Sequence, residues 1–422
     1  MRLAFAPTGL GRKRFQRAAA LWLTGSFVPA FLSGTARAQD YPVEVPESVV
    51  EQTDAEGIRI GTMKVLPRVN FDLRYDTNIY NQRSKIDDGV AVVRPSVSLQ
   101  SDFSRHALRF DAAAEGRRYL DTSAENSNQW SLSADGRLDF ADRFVLDGDF
   151  GVARRIERRG TFGDQFFTDR PVSYNEYGGG LRLSSGGGII EWQIGVSSRK
   201  LDYNDARQNG LPVDQSFRDV RRDAVTFRGD YRRSDTFGLF VRATGNRLAY
   251  DIGTGRNSKG FSVVGGVSYR ITDLVTAEAA LGYVKQDTRD PARPDIGAMD
   301  YHVSVKWTPT ARTRFELKGE RTVERSPLML GSAVLQSTLV GNASIALGSR
   351  TLVGIEAGFL RNEYEGFDRR ESRVFGEATV TRTISTRIAA FVGVSARRQR
   401  GSGIVPREYD GAAVRVGARI AI

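Results

Sequence analysis

The chain has 422 residues, 44 of them Gly and none Cys, with a formal net charge of +11. Without cysteine there are no disulfide staples, thiolate metal sites or thiol nucleophiles. The basic excess is arginine, 53 Arg against 8 Lys, and a nucleic-acid partner is the first thought, until the N-terminus is read.

Residues 1–38 have the anatomy of a secretory signal. Arg2, Arg12, Lys13, Arg14 and Arg17 form a basic region, AAALWLTGSFVPAFL follows, and Ala36-Arg37-Ala38 supplies a small-x-small cleavage pattern. Removing this segment's six basic residues takes the formal charge from +11 to +5. The expectation is an exported protein with no nucleic-acid partner. Residues 39–60 are acidic, carry two prolines and show little periodicity, as expected of a flexible periplasmic arm.

From about residue 61 onward one pattern keeps returning. In WSLSADGRLDF (130–140) every even position is apolar or small and every odd one polar or charged, which is a strand with one apolar and one wet face. The same alternation sets Val69, Phe71, Leu73 and Tyr75 against Arg68, Asn70, Asp72 and Arg74, and ends the chain with Val414, Val416, Ala418 and Ile420 against Arg415 and Arg419. Short turn signals at 102–106, 140–143, 184–188, 232–236, 270–273, 308–313, 347–350 and 384–387 alternate with nine longer polar connections. Seventeen connections predict about 18 strands. The fold expected is all-β, a closed antiparallel transmembrane barrel over 61–422, with short periplasmic turns and longer extracellular loops. Closure follows because an open sheet edge in hydrocarbon leaves backbone groups unsatisfied.

Aromatics fit two interfacial girdles. Tyr75, Tyr119, Trp130, Tyr177, Tyr231, Tyr250, Tyr283 and Tyr301 fall near predicted loop ends, and Phe144, Tyr269 and Trp307 near turn ends. The longest loop, 157–173, is ERRGTFGDQFFTDRPVS. A surface position is the commoner fate of such a segment, and folding inward to narrow the pore the alternative.

The polar face carries the candidate lumen cations. They are Arg68, Arg74, Arg94, Arg109, Arg117, Arg137, Arg155, Arg182, Arg199, Arg228, Arg242, Arg314, Lys318, Arg397, Arg415 and Arg419, with Arg270, Lys306 and Arg373 beside them. Sixteen carboxylates on the same faces nearly balance these nineteen. Cross-strand pairing that stiffens the wall is the main expectation, and an arginine path handing on anionic groups the second. His106 sits in a predicted turn and His302 points inward beside Ser304. No oxyanion element, metal cluster, phosphate loop or cofactor fingerprint accompanies them, so no catalytic site, metal or cofactor is expected.

The segment RPSVSLQSDFSRHALRFDAAAEGRRYL (94–120), with SAEN (123–126), LDF (138–140) and IERRGT (156–161), resembles the β-barrel porin family often found beside exopolysaccharide biosynthesis genes in Gram-negative bacteria. The resemblance implies outer-membrane placement and a link to surface polysaccharide. It makes outer-membrane lipid and lipopolysaccharide, the barrel-assembly machinery, polysaccharide and periplasmic export proteins the partners to expect. Many such barrels end in an aromatic residue, whereas this sequence ends in Ile422. The leading expectation is a pore for polysaccharide export through a charged lumen. A general solute porin and a plugged scaffold barrel docking export proteins through the arm are the alternatives.

Overall fold

The computed structural model describes residues 56–422, apart from 142, 165–167, 273, 329–330 and 332. The export signal and most of the acidic arm therefore lie outside the described residues. The arm's last residues do not continue its irregular character. Ile58–Ile60 forms a short strand paired antiparallel with the start of the first long one, Ile60 opposite Met63.

Eighteen long strands follow. They are β1 (Met63–Asp76), β2 (Asp88–Ser101), β3 (Ala107–Tyr119), β4 (Ser127–Phe140), β5 (Phe144–Ile156) and β6 (Ser173–Ser185). Next come β7 (Ile190–Tyr203), β8 (Val220–Arg232), β9 (Phe237–Tyr250), β10 (Ser258–Thr272), β11 (Val275–Thr288) and β12 (Ile296–Thr310). The last are β13 (Thr313–Arg325), β14 (Ala333–Leu347), β15 (Thr351–Tyr364), β16 (Arg369–Ser385), β17 (Ile388–Gly403) and β18 (Tyr409–Ala421). At 13 to 17 residues, each exceeds the roughly 9–11 tilted residues that cross a bilayer.

Every strand pairs antiparallel with its neighbour in the chain, and β18 returns to β1 from Arg68↔Ala421 to Asp76↔Ala413. That seam holds nine residue pairs, against fourteen between β1 and β2. Its register sets Arg74 directly opposite Arg415. Turns of two to five residues alternate with connections of four to sixteen, so the two kinds lie at opposite ends of the barrel. Both described chain ends lie at the turn end. No described helix is long and apolar enough to cross a membrane; the strands do so.

The alternation decides which way each side chain faces. Leu73, Leu132, Phe150, Val225, Leu281 and Val416 stand exposed on the outer wall, where lipid replaces water and such exposure carries no penalty. Inward neighbours such as Asp72, Val92 and Val264 are buried. Arg228 lies flat against this inner surface, 4.0 Å over the Phe240 ring, and reaches Glu278 on β11.

The girdles differ in part from expectation. Tyr75, Trp130, Tyr177 and Tyr283 project outward near the loops, and Tyr269 and Trp307 near the turns. Tyr119 and Tyr250 instead share the inward parity of Arg117 and Arg242, and Tyr250 is only 6% exposed, beneath the Arg256 guanidinium. Tyr231 points outward but sits at the turn end, because β8 runs from loop to turn. Tyrosine suits a lipid interface and a polar wall equally, so its type alone does not choose the face.

Candidate functional site

All sixteen candidate cations lie on the inward parity of their strands. Eleven sit in ion pairs: Arg94, Arg109, Arg117, Arg137, Arg155, Arg182, Arg199, Arg228, Arg314, Arg397 and Arg415. Several pairs are local. Arg109–Asp111, Arg117–Glu115, Arg137–Asp139 and Arg228–Asp230 join residues two apart on one strand, which the period of two places on the same face. Arg419 donates to Asn70, and Arg68 has interactions of its own. Arg74, Arg242 and Lys318 form no ion pair among the described residues. His302 Nε2 stands 4.0 Å from Glu278, which is already held by Arg228, and no hydrogen bond joins His302 to Ser304. No group of acidic and histidine side chains among the described residues forms a metal cluster.

Of the loop 157–172 between β5 and β6, residues 157–164 do not lie on the surface, whereas Asp169 and Arg170 are exposed. The loop crosses the mouth of the barrel. Phe162 is 6% exposed and packs with Val334 at the start of β14 and Tyr364 at the end of β15, its ring 5.9 Å from that of Tyr364. In a ring of eighteen those strands stand opposite β5 and β6. The loop therefore spans the full width of the lumen.

Its anchors come from both walls. Arg159 grips the Glu125 carboxylate through Nε and Nη2 at 3.0 and 2.8 Å, and also donates to the Thr168 carbonyl at 2.7 Å. Arg158 donates to Glu115 on β3 at 2.8 Å. Asn81 of the first loop donates to the Arg159 carbonyl, Arg373 on β16 to the Gly160 carbonyl, and Arg407 of the last loop to Asp164. Glu115 and Arg373 lie four residues inside their strand ends, so the loop sits within the mouth, not above it. Gly160 has φ +77° with the Asn81 side chain where a Cβ would stand, 2.4 Å away. Only glycine allows that crossing.

The other end of the loop joins a dense set of arginines. Glu157, buried, accepts from Arg218 at 2.9 and 2.5 Å and from the Tyr203 hydroxyl at 3.2 Å. Burial would pull the Arg218 guanidinium down, but Glu157 outweighs it and holds the group above its ordinary value. Arg325 donates to the same hydroxyl at 2.6 Å. Arg256 donates to the carbonyls of Phe217 and Ser326 and has no carboxylate partner among the described residues. Burial first, then the neighbouring Arg293, Arg325 and Arg218, lower its pKa. The neighbouring guanidiniums, rather than the burial, add to the local positive potential, which attracts anions.

A smaller tie holds the hairpin Ala206–Gln208 and Leu211–Val213 beside this loop. Asn209 and Gly210, both at positive φ, make its turn and donate their N–H groups to Asp169 at 2.7 and 2.8 Å. Those bonds lower the Asp169 pKa. A depressed carboxyl contributes at neutral pH and loses its effect only as pH falls through its folded value. Asp169→Ala is therefore expected to expose Arg207 to trypsin at pH 7. In the unaltered protein the Asn209 and Gly210 amides should stay protected from hydrogen exchange down to at least pH ~4, where ordinary Asp titrates.

The loop's crossing was not legible in the sequence, nor were the mouth arginines Arg158, Arg159, Arg218, Arg256 and Arg325. Gly160 and Gly163 punctuate the loop, yet its partners are 34 to more than 200 residues away in the chain.

A family model described as "Putative beta-barrel porin 2" matches residues 52–422. Among solved structures the chain is similar to the outer membrane protein OpdK from Pseudomonas aeruginosa, with 11% identity over 85% of this chain and 99% of that one, at a TM-score of 0.43. It is also similar to OpdO of the same organism, with 9% identity over 86% and 98%, at a TM-score of 0.46. The siderophore receptor PirA from Acinetobacter baumannii matches at 6% identity over 84% and 80%, with a TM-score of 0.42. No protein of curated function matches the sequence.

Proposed function

The chain belongs to the putative β-barrel porin 2 family, and from that premise we propose that it is a solute porin of the outer membrane that passes small hydrophilic molecules, anions in preference. The observation that carries this reading is the loop 157–172, packed on one wall through Arg159–Glu125 and on the opposite wall through Phe162, Val334 and Tyr364. A strap across the mouth divides an 18-strand opening into narrower passages. It suits solutes of a few rings or carbons. A flexible polymer would have to thread beside a loop tied at both sides, so polysaccharide export, which the sequence resemblance suggested, is less favoured. Export to the outer membrane would use the signal at 1–38.

Anion preference rests on two features. Arg256 and Arg325 stand at the mouth beside Arg218 and Arg293, whose charges Glu157 and Asp290 already meet, and Arg256 itself hydrogen-bonds to backbone carbonyls alone among the described residues. Farther in, Arg74 and Arg242 face the lumen without a carboxylate of their own.

The test is the reversal potential of the purified protein in a planar bilayer under a salt gradient, paired with swelling of loaded vesicles in sugars of increasing size. Steady conductance, anion selectivity and exclusion of larger oligosaccharides are expected. A correctly folded barrel that inserts without conducting would sink the porin reading in favour of a plugged scaffold. Arg74→Gln with Arg242→Gln should lower the anion-to-cation permeability ratio about twofold and leave the size cut-off unchanged, since charged rings tune selectivity more than width.

A further inference from the structure

On the outer wall, near the loop end, one row of paired positions crosses five strands. Arg321 on β13 is opposite Ser337 on β14, Ser337 opposite Arg361 on β15, Arg361 opposite Ser372 on β16, and Ser372 opposite Arg400 on β17. Arginine and serine alternate along it. With strands 4.7–4.9 Å apart, successive arginines stand about 10 Å from one another. Arg370 lies one row nearer the loops and Arg398 one row nearer the midplane.

The only carboxylate on the outward face of these five strands is Glu363. Three arginines share it: Arg361 at 2.8 Å, Arg321 at 3.5 Å and Arg370 at 4.0 Å. Arg398 and Arg400 form no ion pair among the described residues, although Asp410 stands opposite Arg398 across the ladder. Glu408 and Asp410 lie nearby, but Arg83 and Lys85 already bind them. Arg370 and Arg361 remain well exposed. The loop-end surface elsewhere is matched more evenly, as in Arg221–Asp223, Lys200–Asp251 and Lys285–Asp287. Directly beneath the row the wall is apolar, with Leu339, Phe359, Val374 and Val394 exposed.

A cationic surplus just above a lipid-facing strip, at headgroup height on the extracellular side, is complementary to one class of molecule. We propose that the outer wall of β13–β17 binds the phosphorylated glycolipid of the outer leaflet, lipopolysaccharide. Phosphate oxygens take forked hydrogen bonds from Arg361, Arg370 and Arg400, which guanidinium geometry favours. Ser372, between two arginines, adds a hydroxyl. The acyl chains lie down the strip of Leu339, Phe359 and Val374. A headgroup with two phosphates on a disaccharide spans neighbouring arginines of the row, whereas a single-phosphate lipid engages one. The site faces away from the lumen, so it is independent of the pore.

The test measures binding of bisphosphorylated lipid A to the full chain in detergent, by native mass spectrometry and by titration. The Arg361→Gln/Arg400→Gln double variant is compared with an Arg221→Gln/Arg247→Gln double variant on the evenly charged sector, where Arg221 pairs with Asp223 and Arg247 stands opposite Asp223 on β9. Heat-modifiable electrophoretic mobility confirms that each barrel is closed. The first pair is expected to weaken binding at least tenfold and the second less than twofold. Equal loss in both variants would assign the affinity to overall charge and overturn the site. Equal binding of lipid A lacking its phosphates would overturn the phosphate contact. Competition by phosphatidylglycerol at equal concentration would overturn the assignment to glycolipid.

Discussion

Excising residues 158–168 and bridging the gap with a short Gly-Ser link is expected to raise single-channel conductance about threefold, on the width that an 18-strand wall encloses when nothing fills it. The loop reaches from β5 and β6 to β14 and β15, so no part of the mouth is farther from it than half the barrel. Current through a short pore follows its narrowest section. The wall itself should survive, because the strands flanking the loop keep their ladder, from Phe144↔Ser185 to Ile156↔Ser173. Planar-bilayer recording measures the outcome, with heat-modifiable mobility as the check on folding. Unchanged conductance would mean that the narrowest point lies deeper, among the paired side chains of the wall. Larger sugars should enter loaded vesicles through the same variant.

The second large effect is expected at Glu157. Its carboxylate is the counter-charge of Arg218, and both side chains are about 5% exposed or less. Glu157→Ala leaves a buried guanidinium without its anion, which costs about 3–5 kcal/mol where the partner cannot relax. Arg218 cannot escape by losing its proton, since arginine stays charged in proteins. The segment has to open and hydrate it. Trypsin should then cleave at Arg158 or Arg159, which the native contacts protect, and channel recordings should show rapid flicker between levels. Persistent protease resistance in the variant would show that Phe162 and Arg159 hold the loop without this pair. Phe162→Ala separates the two: it should loosen the far wall contact while leaving the Glu157–Arg218 end in place.

The architecture was readable because β-structure in a membrane obeys a local rule. Trp130 to Phe140 alternates faces with period two, and lipid accepts one face along its whole length. Turn signals such as SSGGG and RRSDT then mark where the chain reverses. Ion pairs two apart on one strand, such as Arg137–Asp139, follow from the same period, although the pairing expected was across neighbouring strands. The girdle was readable only in part: the alternation that turns Arg117 and Arg242 inward also turns Tyr119 and Tyr250 inward, and residue type alone points them to the interface instead. An inward turn of the loop was only the alternative expectation, and where its path leads was not readable. What places Phe162 is a hydrophobic slot made by Val334 and Tyr364, and nothing within the loop encodes the far wall. Arg218 and Arg256, in loops with no alternation to assign a face, were missed for the same reason.

The seam between β1 and β18 has a kinetic consequence. Its partners, such as Leu73 and Val416, are more than 300 residues apart, whereas every other pairing joins chain neighbours. Contacts of such separation form last. The hairpins assemble first into an open, curled sheet with two bare edges, and the final event is the zipping of those edges over nine pairs, two like-charged arginines facing each other among them. A cysteine placed at Leu73 and another at Val416, in a chain that has none of its own, would report that event as a disulfide appearing after the hairpins are protected. Until then each molecule carries two unpaired strand edges, so the time spent before closure sets its exposure to edge-to-edge association with its own kind.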